Sequence, residues 1–284
     1  MRDFRPGVSG RFTCATYSIS MRVHSSDTEI LYQVMGQGPD VVLLHPFPAN
    51  HGVWAPVAER LALSYRLILP DLRGHGESGV GEGRATMEKH AADVARVLDD
   101  VGIRKAIFAG ESIGGYILFE FWRRNRERVS ALVLCNTKAG ADNEEARANR
   151  LRSAEQVEKS GVEAFIESMI PKLLGETTRR GRPDLVEAAR AMMGKMTPEG
   201  VAAVQRGMAA RPDSVATLAT IDVPVLIITG EEDMLTGIAE AEAMQRHVRG
   251  SQMKVLPRAG HYAVFEQHEE TVTLMRHFLD AQRG

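Results

Sequence analysis

Gly110-Glu111-Ser112-Ile113-Gly114 decides how the rest of the chain is read. These five residues match G-x-S-x-G, follow the apolar run Ala106-Ile107-Phe108-Ala109, and precede a helical run from Tyr116 to Arg124. A strand, a sharp turn and a helix in that order around such a motif form a nucleophile elbow. The turn lifts the serine into a strained conformation, and the small residues at 110 and 114 let strand and helix approach closely. The Ser112 hydroxyl then sits at a helix N-terminus, where the dipole and free N–H groups favour a developing negative charge.

Outward from the elbow, short apolar runs alternate with helical segments. Val41 to Leu44, Leu67 to Leu69, Ala131 to Leu134, Val225 to Ile228 and Met253 to Leu256 read as further strands. Continuous apolar runs of this length, separated by helices, indicate parallel strands covered on both faces. Ile30 to Met35, ending at Gly36, reads as an antiparallel arm at the sheet edge. Met87 to Val101 and Thr271 to Ala281 each gather their apolar residues on one helical face. From Lys138 to about Pro212 the alternation stops, and a long helical stretch carries Phe165, Met169, Met193 and Met208 without a strand run. The predicted architecture is α/β, with a mostly parallel central sheet covered by helices on both faces. A helical cap, residues 138–215, is inserted between two strands over the sheet's carboxyl edge, where such sheets place their sites. Residues 21–137 and 216–284 form the two parts of the core, and residues 1–20 an N-terminal extension.

Composition narrows the class. The chain has 284 residues, 44% hydrophobic and 25% charged, with a formal net charge of −2. No global basic field points to nucleic acid or an anionic membrane as a partner. No apolar stretch reaches the length of a membrane span, and the Arg-containing N-terminus lacks the apolar centre of a secretory signal, so a cytoplasmic setting is expected. Cys14 and Cys135 are the two cysteines, and Cys135 lies in an apolar run where a buried thiol is expected. The pattern leaves open whether they pair. No CxxC pair, zinc-type histidine spacing or phosphate-loop motif is present, so no cofactor or metal is implied.

A serine hydroxyl needs a base within reach, and the base needs an orienting acid. Of nine histidines, His261 stands directly after the last strand run, where Gly260 lets the loop turn tightly. His268 and His277 read as surface residues near the final helix, and His45 and His51 as loop hydrogen-bonding groups. Gly230-Glu231-Glu232-Asp233 offers three carboxylates after the strand at Val225. Asp233 lies furthest into the loop and is the expected acid, with Glu231 and Glu232 as solvated neighbours. Acyl transfer also needs two N–H groups aimed at the developing oxyanion. One is that of Ile113. The other comes from His45-Pro46-Phe47-Pro48, in which the prolines have no N–H and Phe47 remains.

Asp71-Leu72-Arg73-Gly74-His75-Gly76-Glu77-Ser78 completes a resemblance. It is similar to the D-x-R-G-x-G-x-S loop of α/β-hydrolase-fold serine hydrolases, and with the elbow, Gly230 to Asp233 and Gly260-His261 the likeness runs from about residue 28 to the end. The chain most resembles the bacterial esterase and 3-oxoadipate enol-lactonase group, which also contains cofactor-free haloperoxidases. The resemblance implies Ser112, Asp233 and His261 as the triad, in the chain order of this fold. It implies Phe47 and Ile113 as the oxyanion pair and gives the 71–78 loop a structural role. Two departures stand out: Pro46 replaces the usual Gly, and the acidic Glu111 precedes the nucleophile. An ionised Glu111 within range of His261 would raise the histidine's pKa; an ion pair or hydrogen bond beneath the elbow is the other reading.

The expected function is hydrolysis of a small-molecule carboxylic ester or lactone through an acyl-enzyme on Ser112. Phe165, Met169 and Met193 of the cap are expected to line the pocket. The alternatives are a perhydrolase or haloperoxidase or a C–C bond hydrolase using the same triad, and a ligand-binding protein of the same fold without turnover, against which the intact Ser, Asp and His argue. Dehalogenase and epoxide hydrolase chemistry would require a carboxylate where Ser112 stands. Oligomeric state is not legible in the sequence.

Overall fold

The computed structural model describes residues 18–283. Cys14 and most of the expected N-terminal extension lie outside the described residues. Eight strands form one sheet: β1 (Ser18–Ser25), β2 (Thr28–Met35), β3 (Asp40–Leu44), β4 (Arg66–Pro70), β5 (Ala106–Glu111), β6 (Val129–Cys135), β7 (Val225–Gly230) and β8 (Gln252–Leu256). Their spatial order is β1-β2-β4-β3-β5-β6-β7-β8. Pairing is parallel from β4 through β8, and β2 runs antiparallel to both β1 and β4.

β5 and β7 are buried along their whole length. That is the physical counterpart of their uninterrupted apolar runs, because both faces are covered. Helices Met87–Asp100 and Ile113–Asn125 pack together, as do Ala55–Leu61 and His268–Asp280. Thr86 caps the first of these by accepting from the Lys89 N–H, with Glu88 in the first turn. The elbow helix Ile113–Asn125 is buried through its first ten residues, Ile113 to Trp122, and is apolar nearly all round, as a central helix must be.

Two edge features depart from expectation. The arm at Ile30 to Met35 is interior to the sheet, because β1 covers it. The expected extension boundary at residue 20 therefore falls inside a strand. β1 escapes an apolar-run reading because Ile19, Met21 and Val23 alternate with the polar Ser20, Arg22 and His24, and of the three only Val23 is buried. At the far edge β8 is largely exposed and carries Lys254, a charge that discourages edge-to-edge pairing.

Between β6 and β7 lie the helices Glu144–Ser160, Glu163–Leu173, Glu176–Gly181, Pro183–Met193 and Pro198–Ala209, followed by a short turn of helix, Val215–Leu218. No helix among the described residues is long and apolar enough to cross a membrane.

Candidate active site

The sheet order brings the chemistry to one edge. β5 is flanked by β3 and β6, with β7 and β8 beyond, and the loops that leave their carboxyl ends carry Ser112, Phe47, Asn136, Asp233 and His261 in turn. Ser112 has φ 55° and ψ −113°, a left-handed conformation costly for any residue with a side chain. Its N–H donates to Cys135 O at 2.9 Å, and its carbonyl accepts from Thr137 Oγ1 at 2.8 Å, so β6 holds the strained turn from both sides. The two motif glycines serve close approach. A Cβ on Gly110 would lie 2.6 Å from Gly114 C, and one on Gly114 would lie 2.6 Å from Leu44 O.

His261 is 2% exposed, and its Nδ1 lies 3.1 and 3.0 Å from the two Asp233 oxygens. Asp233 also accepts from Asn136 Nδ2 at 2.8 Å, Leu235 N at 2.8 Å, Thr236 N at 3.1 Å and Thr236 Oγ1 at 2.8 Å. Burial alone would raise its pKa; the neighbouring His261 and these donors outweigh that and hold it well below the carboxylate range. Asp233 is therefore ionised, and its position favours a proton on His261 Nδ1, which leaves Nε2 as the ring's acceptor.

The other two carboxylates are engaged elsewhere. Glu232 accepts from Thr177 N at 2.9 Å and from the Thr177 hydroxyl, tying the inserted helices to the core. Glu231 accepts from Arg258 N at 3.0 Å. Neither is a merely solvated neighbour, as the sequence suggested. Asn136, Thr137 and Thr236 escaped sequence reasoning because polar residues at strand ends and in loops carry no pattern. Glu266 did too: it accepts from Gly260 N at 2.9 Å and Gly175 N at 2.8 Å, anchoring the loop that presents His261.

Phe47 lines the same cavity as Ser112 and Ile113 follows Ser112 in the chain, and neither backbone N–H meets a protein acceptor among the described residues. The Phe47 loop is braced from below. His45 Nε2 accepts from Leu72 N at 2.9 Å, so the ring's proton sits on Nδ1, which donates to Pro46 O at 2.9 Å. The His75 ring packs edge-on to both His45 and Phe47, with centroids 4.9 and 5.7 Å away. The 71–78 loop is structural, as expected: Asp71 accepts from His51 N and Glu77 N, and the buried Arg73 pairs with Asp93 and Asp27.

Burial lowers the pKa of His45 to about 4 and of His75 to about 3, the latter helped by His45. Unfolded, each ring takes up its proton near 6.5. Between these values the unfolded chain binds more protons, so their contribution is complete above about pH 6.5 and is lost as pH falls below it. Over the span from 6.5 to 4 the His45 ring alone removes about 3 kcal/mol. The buried Glu111, whose pKa is raised, acts in the opposite sense over the same range, so a variant isolates the ring: between about pH 7.5 and about pH 5 the urea midpoint should fall further in wild type than in His75→Gln. An equal pH response in the two would show that the His75 ring is not held neutral.

Glu111 corrects the electrostatic reading of the elbow. It is fully buried, Oε1 accepts only from Val264 N at 3.4 Å, and Oε2 meets no partner among the described residues. Burial raises its pKa well above the ordinary value, and the Glu266 and Asp233 charges add to the rise. Burial thus favours the neutral carboxyl, which puts no charge beside His261. Glu111→Gln, which keeps shape and neutrality, should leave the acidic limb of the kcat/KM profile in place. A shift of that limb to lower pH would restore an ionised Glu111.

Ser112 and His261 line a cavity of about 390 Å³ together with Phe47, Phe165, Met169 and Met208. The Phe165 and Phe47 rings lie 5.8 Å apart, so the inserted helices meet the Phe47 loop directly. Met193 is the exception among the expected pocket residues: it is fully buried and does not line the cavity. Leu185, Ala189 and Met193 are the buried residues of their helix, four apart, and form the stripe that packs into the interior. Met208, on the last long inserted helix, faces the cavity.

Residues 39–267 match the family model described as alpha/beta hydrolase fold, and the chain belongs to that family. It is 29% identical over 241 residues to 3-oxoadipate enol-lactonase 1 of Acinetobacter baylyi, covering 85% of this chain and 88% of the relative. Among solved structures it is similar to a thermophilic esterase from Thermogutta terrifontis, with a TM-score of 0.91 and 38% identity over 94% of this chain and 100% of that one. It is likewise similar to the enol-lactonase from Burkholderia xenovorans LB400, with a TM-score of 0.86 and 25% identity over 92% of this chain and 100% of that one.

Proposed function

We propose that the chain is a serine hydrolase that cleaves a carboxylic ester or lactone through an acyl-enzyme on Ser112. The observation that carries this reading is the strained Ser112 sharing a cavity with a His261 ring oriented by ionised Asp233. His261 Nε2 takes the Ser112 proton as Oγ attacks the carbonyl carbon. The Phe47 and Ile113 N–H groups receive the negative oxygen, and His261 returns the proton to the departing alcohol. Water then enters, gives a proton to His261 and attacks the acyl carbon; His261 passes that proton to Ser112 Oγ as the acyl–oxygen bond breaks, releasing the acid and free Ser112. The inserted helices act as a cap that shapes the acyl site and limits water. The esterase and enol-lactonase relatives support the ester or lactone class.

A chain-length series of p-nitrophenyl esters, run beside simple lactones, tests the proposal. Turnover of at least one series, abolished by an organophosphonate, is expected; indifference of every ester and lactone would sink it. Phe165→Ala should change the chain-length preference more than turnover of the acetate ester, because a pocket contact of methylene scale is worth about 1–3 kcal/mol. Equal effects on short and long esters would mean that Phe165 only supports the cap.

A further inference from the structure

One wall of the cavity carries charge that acyl transfer does not use. Lys138, Arg150 and Lys172 all line it, and Asp142 is the one carboxylate among the lining residues. Asp142 is already committed. Its Oδ1 accepts from the buried Arg211 Nη2 at 2.9 Å, and its Oδ2 from Arg150 Nε at 2.5 Å. Lys138 Nζ stands 3.6 Å from Oδ1, beyond a hydrogen bond. Three cations therefore share one carboxylate.

The surplus faces the cavity. Arg150 Nη1 meets only the neutral Gln205 Oε1 at 3.2 Å and Met208 Sδ at 3.4 Å, and Nη2 meets no protein acceptor among the described residues. The Arg150 and Lys138 side chains keep 23% and 21% of their exposure, while Asp142 keeps 2% and Arg211 3%. Partly desolvated cations without matching anions are unfavourable in an empty pocket and become favourable when a ligand supplies the anion. A guanidinium fork beside an ammonium suits a planar carboxylate, and a cavity of about 390 Å³ has room for a short acyl chain ending in one.

We propose that this wall is an anion subsite, and that the substrate is an ester or lactone bearing a second, free carboxylate, held by Arg150 and Lys138 while Ser112 attacks the reacting carbonyl. This rests on the serine-hydrolase reading above and narrows its substrate. If the cations only held the inserted segment together, through Asp142, removing them would affect all substrates alike. A subsite discriminates.

The test compares kcat/KM for two p-nitrophenyl esters of equal chain length, the neutral pentanoate and the anionic hemiglutarate, in wild type, Arg150→Gln and Lys138→Gln. Wild type should favour the hemiglutarate, and added salt should weaken that preference. The hemiglutarate-to-pentanoate ratio should fall about tenfold or more in Arg150→Gln, as for loss of a charge-assisted hydrogen bond, and less in Lys138→Gln. Should Arg150→Gln fail to fold, Lys138→Gln carries the comparison, because its ammonium makes no hydrogen bond to the protein. A wild-type preference for the pentanoate, or an unchanged ratio in the folded variants, overturns the subsite and leaves the hydrolase reading standing. If neither ester is cleaved, calorimetric binding of glutarate decides the subsite separately: saturable binding weakened in the variants supports it, and no binding overturns it.

Discussion

Ser112→Ala is expected to lower ester turnover by at least about a thousandfold while leaving the fold intact, as loss of a triad nucleophile does. The residual rate is expected to come from the proposed Phe47 and Ile113 oxyanion pair and from binding. Stability should barely move, because alanine at φ 55° carries the same backbone strain as serine. Glycine would not. Ser112→Gly should be equally inactive and more stable than the alanine variant, by about 1–3 kcal/mol if the strain is fully released. The two variants thus separate catalysis from strain, with turnover on a p-nitrophenyl ester and urea midpoints as the measurements. An alanine variant of full activity would remove Ser112 from the mechanism.

Asp233→Asn should reduce turnover by about ten-thousandfold, because the amide permits the wrong His261 tautomer and no longer stabilises the imidazolium. The local network sharpens this. Both Asp233 oxygens accept, from His261, Asn136, Leu235 and Thr236, so an amide NH2 in either orientation confronts donors. Glu232→Gln gives the contrast: it weakens a tie to Thr177 rather than to His261 and should change turnover by less than about tenfold. The reverse ranking in purified, folded variants would transfer the acid role to Glu232.

Legibility followed pattern. The parallel strands were readable because burial on both faces leaves continuous apolar runs, and Ser112 because its turn needs glycines at fixed offsets. β1 was missed because Ile19, Met21 and Val23 alternate with Ser20, Arg22 and His24 and so leave no continuous apolar run. Asp233 was readable only by position, since three adjacent carboxylates look alike until hydrogen bonds separate them. Met193 was misplaced because composition gives an inserted helix an apolar residue but not its direction; the spacing of Leu185, Ala189 and Met193 was the available signal. Glu111 left two readings open because a carboxylate beside a nucleophile suggests charge, and only its complete burial beneath the elbow favours the neutral form. Lys138, Asp142 and Arg150 carried no signal of their own. They meet locally, within one short segment, but nothing in the sequence shows that this segment faces the cavity.

Mass spectrometry of the native protein after treatment with a fluorescent organophosphonate tests the central claim most directly. The reagent reports an activated hydroxyl without any assumption about the natural substrate. The account predicts one covalent adduct, on Ser112, formed with loss of the fluorescent leaving group and strongly suppressed in Asp233→Asn. No adduct, or an adduct on any other residue at an equal rate in the two proteins, would contradict it.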